Sequence, residues 1–288
     1  MRKRAILSVN LAVFLFGTAG LFAKWISLPA IGITFGRVLF SSLALLTFAL
    51  LTRQSLRVRG KHAFWLVLAG GLLAVHWWLF LLSIQLSTVA VGTITFSAFP
   101  LFVTFLEPLV FHEKLRVRQV LSALLILLGV LLIVPQFTLE NKISLGIAVG
   151  LLSALAYSVL ALLNRYFMRY YSGTVTALYE QGSAALLLLP SLCWIPFSPG
   201  IFDWAMLAFL GIVTTALAHT LFISSLKVLP AQITGIVSSM ESVYGILLAL
   251  LVLGEKPSLR ELAGAAVVMI VVIASQLWHK SENHEVRE

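Results

Sequence analysis

Charge is scarce in this chain of 288 residues. Asp, Glu, Lys and Arg make up 11% of it, against about a quarter in a soluble domain. Aspartate is scarcer still, with Asp203 the sole one. That excludes a protease built on two intramembrane aspartates, and it disfavours an aspartyl-phosphate pump because Asp203 falls at the edge of an apolar run. A single cysteine, Cys193, permits no intramolecular disulfide, and it reads as a small apolar helix residue. Catalytic signatures are missing too. There is no P-loop and no Gly-x-Ser-x-Gly, and His112-Glu113-Lys114-Leu115-Arg116 lacks the second histidine of a zinc-protease helix. No catalytic residue, metal or cofactor is therefore expected, and the chain does not read as an enzyme.

What is present is apolar surface. Hydrophobic residues make up 60% of the chain, and apolar runs of about 20 residues recur, the length that carries a helix across roughly 30 Å of hydrocarbon. The expected fold is an all-α membrane protein with ten transmembrane helices, near 5–24, 29–51, 63–83, 88–111, 117–135, 144–165, 174–196, 203–224, 230–253 and 258–278. Nothing is left over for a soluble domain. The formal charge of +9 does not mark a nucleic-acid partner, because the basic residues sit in short loops, the pattern of topology signals. With the N-terminus inside, fifteen Lys and Arg fall in loops on the cytoplasmic side. Only Lys24, Lys142, Lys256 and Arg260 fall on the other, and Arg37 lies within a span. Both termini are thus expected in the cytoplasm. Met1-Arg2-Lys3-Arg4 before an apolar run imitates a secretory signal; because that run is the first member of a repeated set, it reads as a retained span.

The repeat is the strongest signal. An apolar run from Ser239, broken by Gly254-Glu255-Lys256-Pro257 and followed at once by a second run to Ala274, has a counterpart 142 residues earlier, starting at Phe99. Glu113-Lys114 stands where Glu255-Lys256 stands, Arg118 where Arg260 stands, and Leu79-Phe80 and Ser83 match Leu221-Phe222 and Ser225. The expected units are 1–138, 139–278 and a polar tail at 279–288. Five spans is an odd number, so the second copy must enter the membrane upside down. Inverted-topology repeats are a recurring architecture of secondary transporters, with the substrate site near the midplane between the copies.

The doubled module resembles the EamA-type repeat of the drug/metabolite transporter superfamily. The resemblance runs from Val9 to Ala274 and rests on Pro100-Leu101, Glu113-Lys114, Gly254-Glu255-Lys256-Pro257, and the small residues Gly129 and Gly264. It implies a bacterial inner-membrane exporter or exchanger of small metabolites, amino acids among them. One motif departs: the family's Leu-Glu-Pro of the ninth span appears as Met240-Glu241-Ser242, and Leu106-Glu107-Pro108 occurs instead in the fourth.

Ionisable groups inside spans cost about 2.5–3.5 kcal/mol at a helix centre, so they tend to face a cavity or a partner. Glu241, near the middle of the ninth span, should lie deepest, as a substrate-ammonium site, a proton site or a buried pair. Tyr244, three residues on, is the first aromatic expected beside it. Arg37 and Glu180 hold corresponding places early in the second and seventh spans; each is a substrate ligand, a gate, or a side chain snorkelling to the nearer interface. The inversion sets them toward opposite faces, without a mutual bond. His76 and His219 hold nearly equivalent places in the third and eighth spans, suited to proton coupling or to plain hydrogen bonding, as are Asn10 and Asn164. Trp77, Trp78, Phe96, Phe99, Tyr157 and Tyr179 add aromatic surface that could stack on a flat or cationic solute. Glu107, near the cytoplasmic end of its span, reads as structural. Glu113 and Glu255 read as junction residues, each accepting the free N–H groups of the helix that follows it.

The resulting expectation is a secondary transporter of a small amphiphilic solute, functional as a monomer, with a coupling proton and membrane lipid as its other partners. No nucleotide hydrolysis is built in, so uphill movement must draw on a gradient. Flipping of a lipid or lipid-linked sugar, and a non-transporting scaffold or sensor, are the alternatives.

Overall fold

The structure, a computed structural model, describes residues 2–112, 115, 117–132, 141–267, 269–271 and 274. Glu113, Lys114, the expected unit boundary at 138/139 and the tail at 279–288 lie outside the described residues. Among the described residues there is no strand. The helices are α1 (Arg2–Trp25), α2 (Ala30–Leu51), α3 (Gly60–Leu86), α4 (Val89–Phe96), α5 (Phe99–Phe111), α6 (Val117–Leu132), α7 (Lys142–Phe167), α8 (Gly173–Leu188), α9 (Ile201–Gly211), α10 (Ala218–Ser225), α11 (Ala231–Ser238) and α12 (Met240–Leu248), followed by helical residues 259–267, here α13.

Seven stretches among these residues are long and apolar enough to cross a membrane: Arg2–Trp25, Ala30–Leu51, Gly60–Leu86, Val89–Phe111, Lys142–Phe167, Ile201–Ser225 and Ile233–Leu253. The other expected spans correspond to shorter helices: α6, α8 with the 3₁₀ turn Leu189–Cys193 that follows it, and α13. Helix starts are set by short polar side chains in the connections. Thr88 caps α4 through the Val91 N–H, Asn141 caps α7 through Ile143, and Ser172 caps α8 through Val175; each satisfies a backbone donor that the helix itself leaves free.

Burial is inverted relative to a soluble protein. Leu51, Leu186 and Leu251 are more than 70% exposed, while Arg37, Glu107 and Glu180 are at most 1% exposed. An apolar exterior around a polar interior suits hydrocarbon as the surrounding solvent.

Two helical stretches are broken at matching places. α4 ends at Phe96 and α5 restarts at Phe99; α11 ends at Ser238 and α12 restarts at Met240. Ser97 and Ser239 sit in the two breaks, 142 positions apart, and bond each other reciprocally. Ser97 Oγ donates to the Ser239 carbonyl at 3.4 Å, and Ser239 Oγ donates to the Ser97 carbonyl at 3.5 Å. Each surface meeting its own equivalent is the pattern of a two-fold contact.

Candidate functional site

Beside this crossing lies a small cavity with room for about one water, lined by Phe16 and Ala19 of α1, Arg37 of α2, His76, Trp77 and Phe80 of α3, Phe96 of α4, Tyr157 of α7, His219 of α10, Ser238 and Glu241. Glu241 belongs to the first turn of α12, where free backbone N–H groups favour a carboxylate. It is 5% exposed, and no ion pair joins it to Arg37. The cavity therefore carries a guanidinium and a carboxyl group that no ion pair joins.

Arg37 reaches this place because α2 and α9 touch. A Cβ on Gly211 would stand 2.6 Å from the Phe40 Cβ and 2.7 Å from the Arg37 carbonyl, so glycine alone allows the approach. Immediately after Gly211 the helix widens into a π segment, Ile212–Leu217. There Thr215 Oγ1 donates to the Leu210 carbonyl five residues back and accepts from Arg37 Nε at 3.1 Å. The guanidinium lies 3.9 Å from the centre of the Trp77 ring, a cation–π contact, and its Nη1 has no hydrogen-bond partner.

Trp77 in turn meets His219 edge to face at 5.4 Å. These two residues are 142 apart, so equivalent positions touch here as they do at Ser97 and Ser239. His219 Nε2 lies 3.1 Å from Glu180 Oε2. Arg37, Trp77, His219 and Glu180 thus form one continuous line of contacts. Arg37 and Glu180 do not bond each other, as expected from their places in the sequence. Neither snorkels to an interface, because each finds a polar partner inside the bundle.

His76 has its tautomer fixed by the pattern of bonds. Ser153 Oγ donates to the His76 carbonyl at 2.9 Å, so its one hydrogen is used; His76 Nδ1, 2.8 Å from that oxygen, must be the donor. Its ring lies among Tyr157, Phe96, Phe80 and Trp77.

A family model for EamA-like transporters matches the chain twice, over residues 3–134 and 144–275. The chain belongs to the EamA-like transporter family. It is thus a multi-pass membrane protein of the drug/metabolite transporter superfamily and not an enzyme. It is 27% identical over 278 residues to an uncharacterized transporter, YxxF, of Bacillus subtilis (strain 168), covering 93% of this chain and 88% of the relative. It is 25% identical over 268 residues to an uncharacterized transporter of Archaeoglobus fulgidus, covering 92% and 94%. A solved crystal structure, 19% identical, superposes with a TM-score of 0.78 over 96% of this chain and 99% of the other, which shows a shared fold.

Other expected site residues of this transporter lie elsewhere. Tyr244 is outside the cavity: its Cβ would touch one on Gly17 of α1, and its ring meets Phe14 edge to face at 5.4 Å. Three residues along a helix fall roughly 60° short of a full turn, enough to turn it from the Glu241 face to α1. Asn10 bonds back to the Ile6 carbonyl of its own helix. Tyr179 donates to the Leu56 carbonyl, and Trp78 is 36% exposed. Asn164 is buried beside Glu180.

Glu255 does accept a helix N-terminal N–H, but not that of the helix following it. It takes the Val89 N–H, which opens α4, at 3.2 Å and lies 3.9 Å from Lys24 Nζ. The following helix is capped locally instead, by a reciprocal pair in which Glu261 accepts the Ser258 N–H and Ser258 Oγ accepts the Glu261 N–H. At the opposite end Glu107, wholly buried, accepts the Ala231 N–H that opens α11 at 2.8 Å and pairs with Arg165 at the end of α7.

Several site residues carry no sequence signal. Phe16 and Ala19 sit in an ordinary apolar run. Ser153 and Thr215 are among many helical hydroxyls, and the π segment that aims Thr215 has no motif.

Proposed function

We propose that this EamA-family chain is a secondary transporter that exports or exchanges a small amphiphilic, amino-acid-like solute by alternating access. In this reading ten spans form two inverted five-helix repeats, 1–138 and 139–278, with both termini and the tail 279–288 cytoplasmic, and the chain works as a monomer in the bacterial inner membrane. The cavity carries the proposal. Arg37 offers a guanidinium with a free Nη1, Glu241 offers a carboxylate, and neither satisfies the other. A zwitterion supplies the missing partner to both, and the Trp77, Phe96 and Tyr157 rings receive its apolar part. The matched breaks of α4–α5 and α11–α12 supply the flexible points, as discontinuous helices do at transporter midplanes. The cavity has contracted to about one water's freedom, so solute enters only when the helices part at one end. A vestibule of about 600 Å³ lined by Arg165, Arg169 and Lys227 lies at the end where α7 finishes and α11 begins. Its basic rim draws carboxylates toward that end.

The test is flux in proteoliposomes loaded with an isotope-labelled mixture of the proteinogenic amino acids. A hydrogen bond to a charged group contributes about 1.5–3 kcal/mol, so Arg37→Gln and Glu241→Gln should each lower the rate about 10–100-fold. Unchanged flux in both variants would remove the cavity from the transport path.

A further inference from the structure

We infer that Glu180 and His219 form a proton site separate from the solute charges, and that this pair carries the proton exchanged for solute. The inference rests on the transporter reading above. The pair is built from two fully interior side chains, 0% and 1% exposed, with Oε2 and Nε2 3.1 Å apart. Both keep an unused atom: Glu180 Oε1 and His219 Nδ1 are buried without a hydrogen-bond partner. Asn164 of α7 lies within hydrogen-bonding reach of the carboxylate, and in the orientation shown neither of its amide atoms makes a well-formed bond. Buried polar atoms are nearly always satisfied. Three neighbouring side chains with spare donors and acceptors therefore describe a place made for a proton and its water, not for packing.

His219 also lines the cavity, so what distinguishes the pair from the solute-facing residues is its charge accounting. Arg37 has Glu241 opposite it in the cavity, within electrostatic reach but without contact. Glu180 has no cation of its own except through His219. With one proton between them, the two are neutral overall, whether it resides on oxygen or nitrogen; without it they leave a net negative charge in the bundle, which is costly away from water. In the closed state the pair therefore keeps its proton, and it gives that proton up only when one end opens and water arrives. The groups facing it are Tyr157 and Asn164 from α7 and His219 from α10, with His76 and Trp77 of α3 and Arg37 of α2 beyond. His76 is held by Ser153. Coupling follows from contact, since His219 touches Trp77, on which the solute-facing Arg37 rests.

Infrared difference spectra of the full chain in lipid nanodiscs, recorded between acid and alkaline pH with no solute, read the proton directly. A protonated-carboxyl component should be lost in Glu180→Gln and kept in Glu241→Gln. His219→Gln, which leaves the carboxyl in place, should move the pH at which that component appears. In proteoliposomes, each unit of pH gradient should drive about tenfold accumulation of labelled amino acids per proton exchanged, and Glu180→Gln should abolish that drive. Retention of the component in Glu180→Gln with loss in Glu241→Gln, or a pH drive undiminished in Glu180→Gln, would overturn the inference. Should the wild type move none of the amino acids while the component behaves as described, the solute reading falls and the proton site stands.

Discussion

At each end of the bundle a carboxylate clips together three helices, and the two clips differ in strength. At one end Glu255 joins the start of α4 to Lys24 at the end of α1, at 3.2 Å and 3.9 Å, with both charged side chains more than a quarter exposed. At the other, Glu107 joins the start of α11 to Arg165 at the end of α7, with the carboxylate wholly buried. Val89 and Ala231 are equivalent positions 142 apart, and Lys24 and Arg165 are 141 apart. The carboxylates are not equivalent: the position matching Glu107 is Ala249, and the one matching Glu255 is Glu113. Two halves of like plan have thus closed their ends with acids drawn from different places. An exposed pair contributes about 0.2–1 kcal/mol, whereas removing one partner of a buried pair costs about 3–5 kcal/mol. Under alternating access, the Lys24 end should open more readily than the Arg165 end.

The largest effect should come from breaking the stronger clip. Glu107→Ala removes the acceptor shared by Arg165 and the Ala231 N–H, and should lower unfolding free energy by about 3–5 kcal/mol. Chemical denaturation of the detergent-solubilised protein measures it. A loss no larger than that at Glu255 would erase the difference between the ends.

Both ends were only half legible in the sequence. Glu255 stood out because a charged corner interrupts two apolar runs, and a capping role followed from helix electrostatics. Which helix it caps did not follow, since Val89 is far away in the chain and Ser258 with Glu261 already serves the nearer one. The cavity shows the same limit. Glu241 announced its depth by lying inside an apolar run, and the duplication pointed to a crossing between the halves. His76 drew attention as the near-equivalent of His219 because both are histidines, yet the equivalent position, and the residue that meets His219, is Trp77. Thr215 was invisible because its aim depends on a local widening of the helix, a backbone event that no side-chain pattern marks.

The weaker clip gives a smaller and differently behaved effect. Glu255→Ala should lower unfolding free energy by about 1 kcal/mol, combining an exposed pair with a lost helix cap. Part of that contribution is screened by salt. Raising ionic strength should therefore narrow the gap between wild type and Glu255→Ala while leaving the Glu107→Ala deficit nearly unchanged. Equal salt sensitivity at both positions would mean that burial is not what separates them.

The smallest effect belongs at the crossing between the two ends, where the halves should be alike. The hydrogen bonds of Ser97 and Ser239 across the axis are long, at 3.4 Å and 3.5 Å, so each contributes toward the low end of the usual 0.5–1.5 kcal/mol. Ser97→Ala and Ser239→Ala should each shift unfolding by about 0.5 kcal/mol. Their local surroundings are not identical, because the one Ser97 hydroxyl hydrogen is shared with the nearer Thr93 carbonyl at 3.0 Å, and Ser97 Oγ lies 3.2 Å from Ser242 Oγ. Ser239 Oγ has only the Gly235 carbonyl besides, at 3.5 Å. Any inequality should therefore fall on the Ser97 side. A double-mutant cycle isolates the shared term from these neighbours: a coupling near zero would show that the breaks merely pass each other, and a measurable one that the crossing holds the halves in register while the ends open.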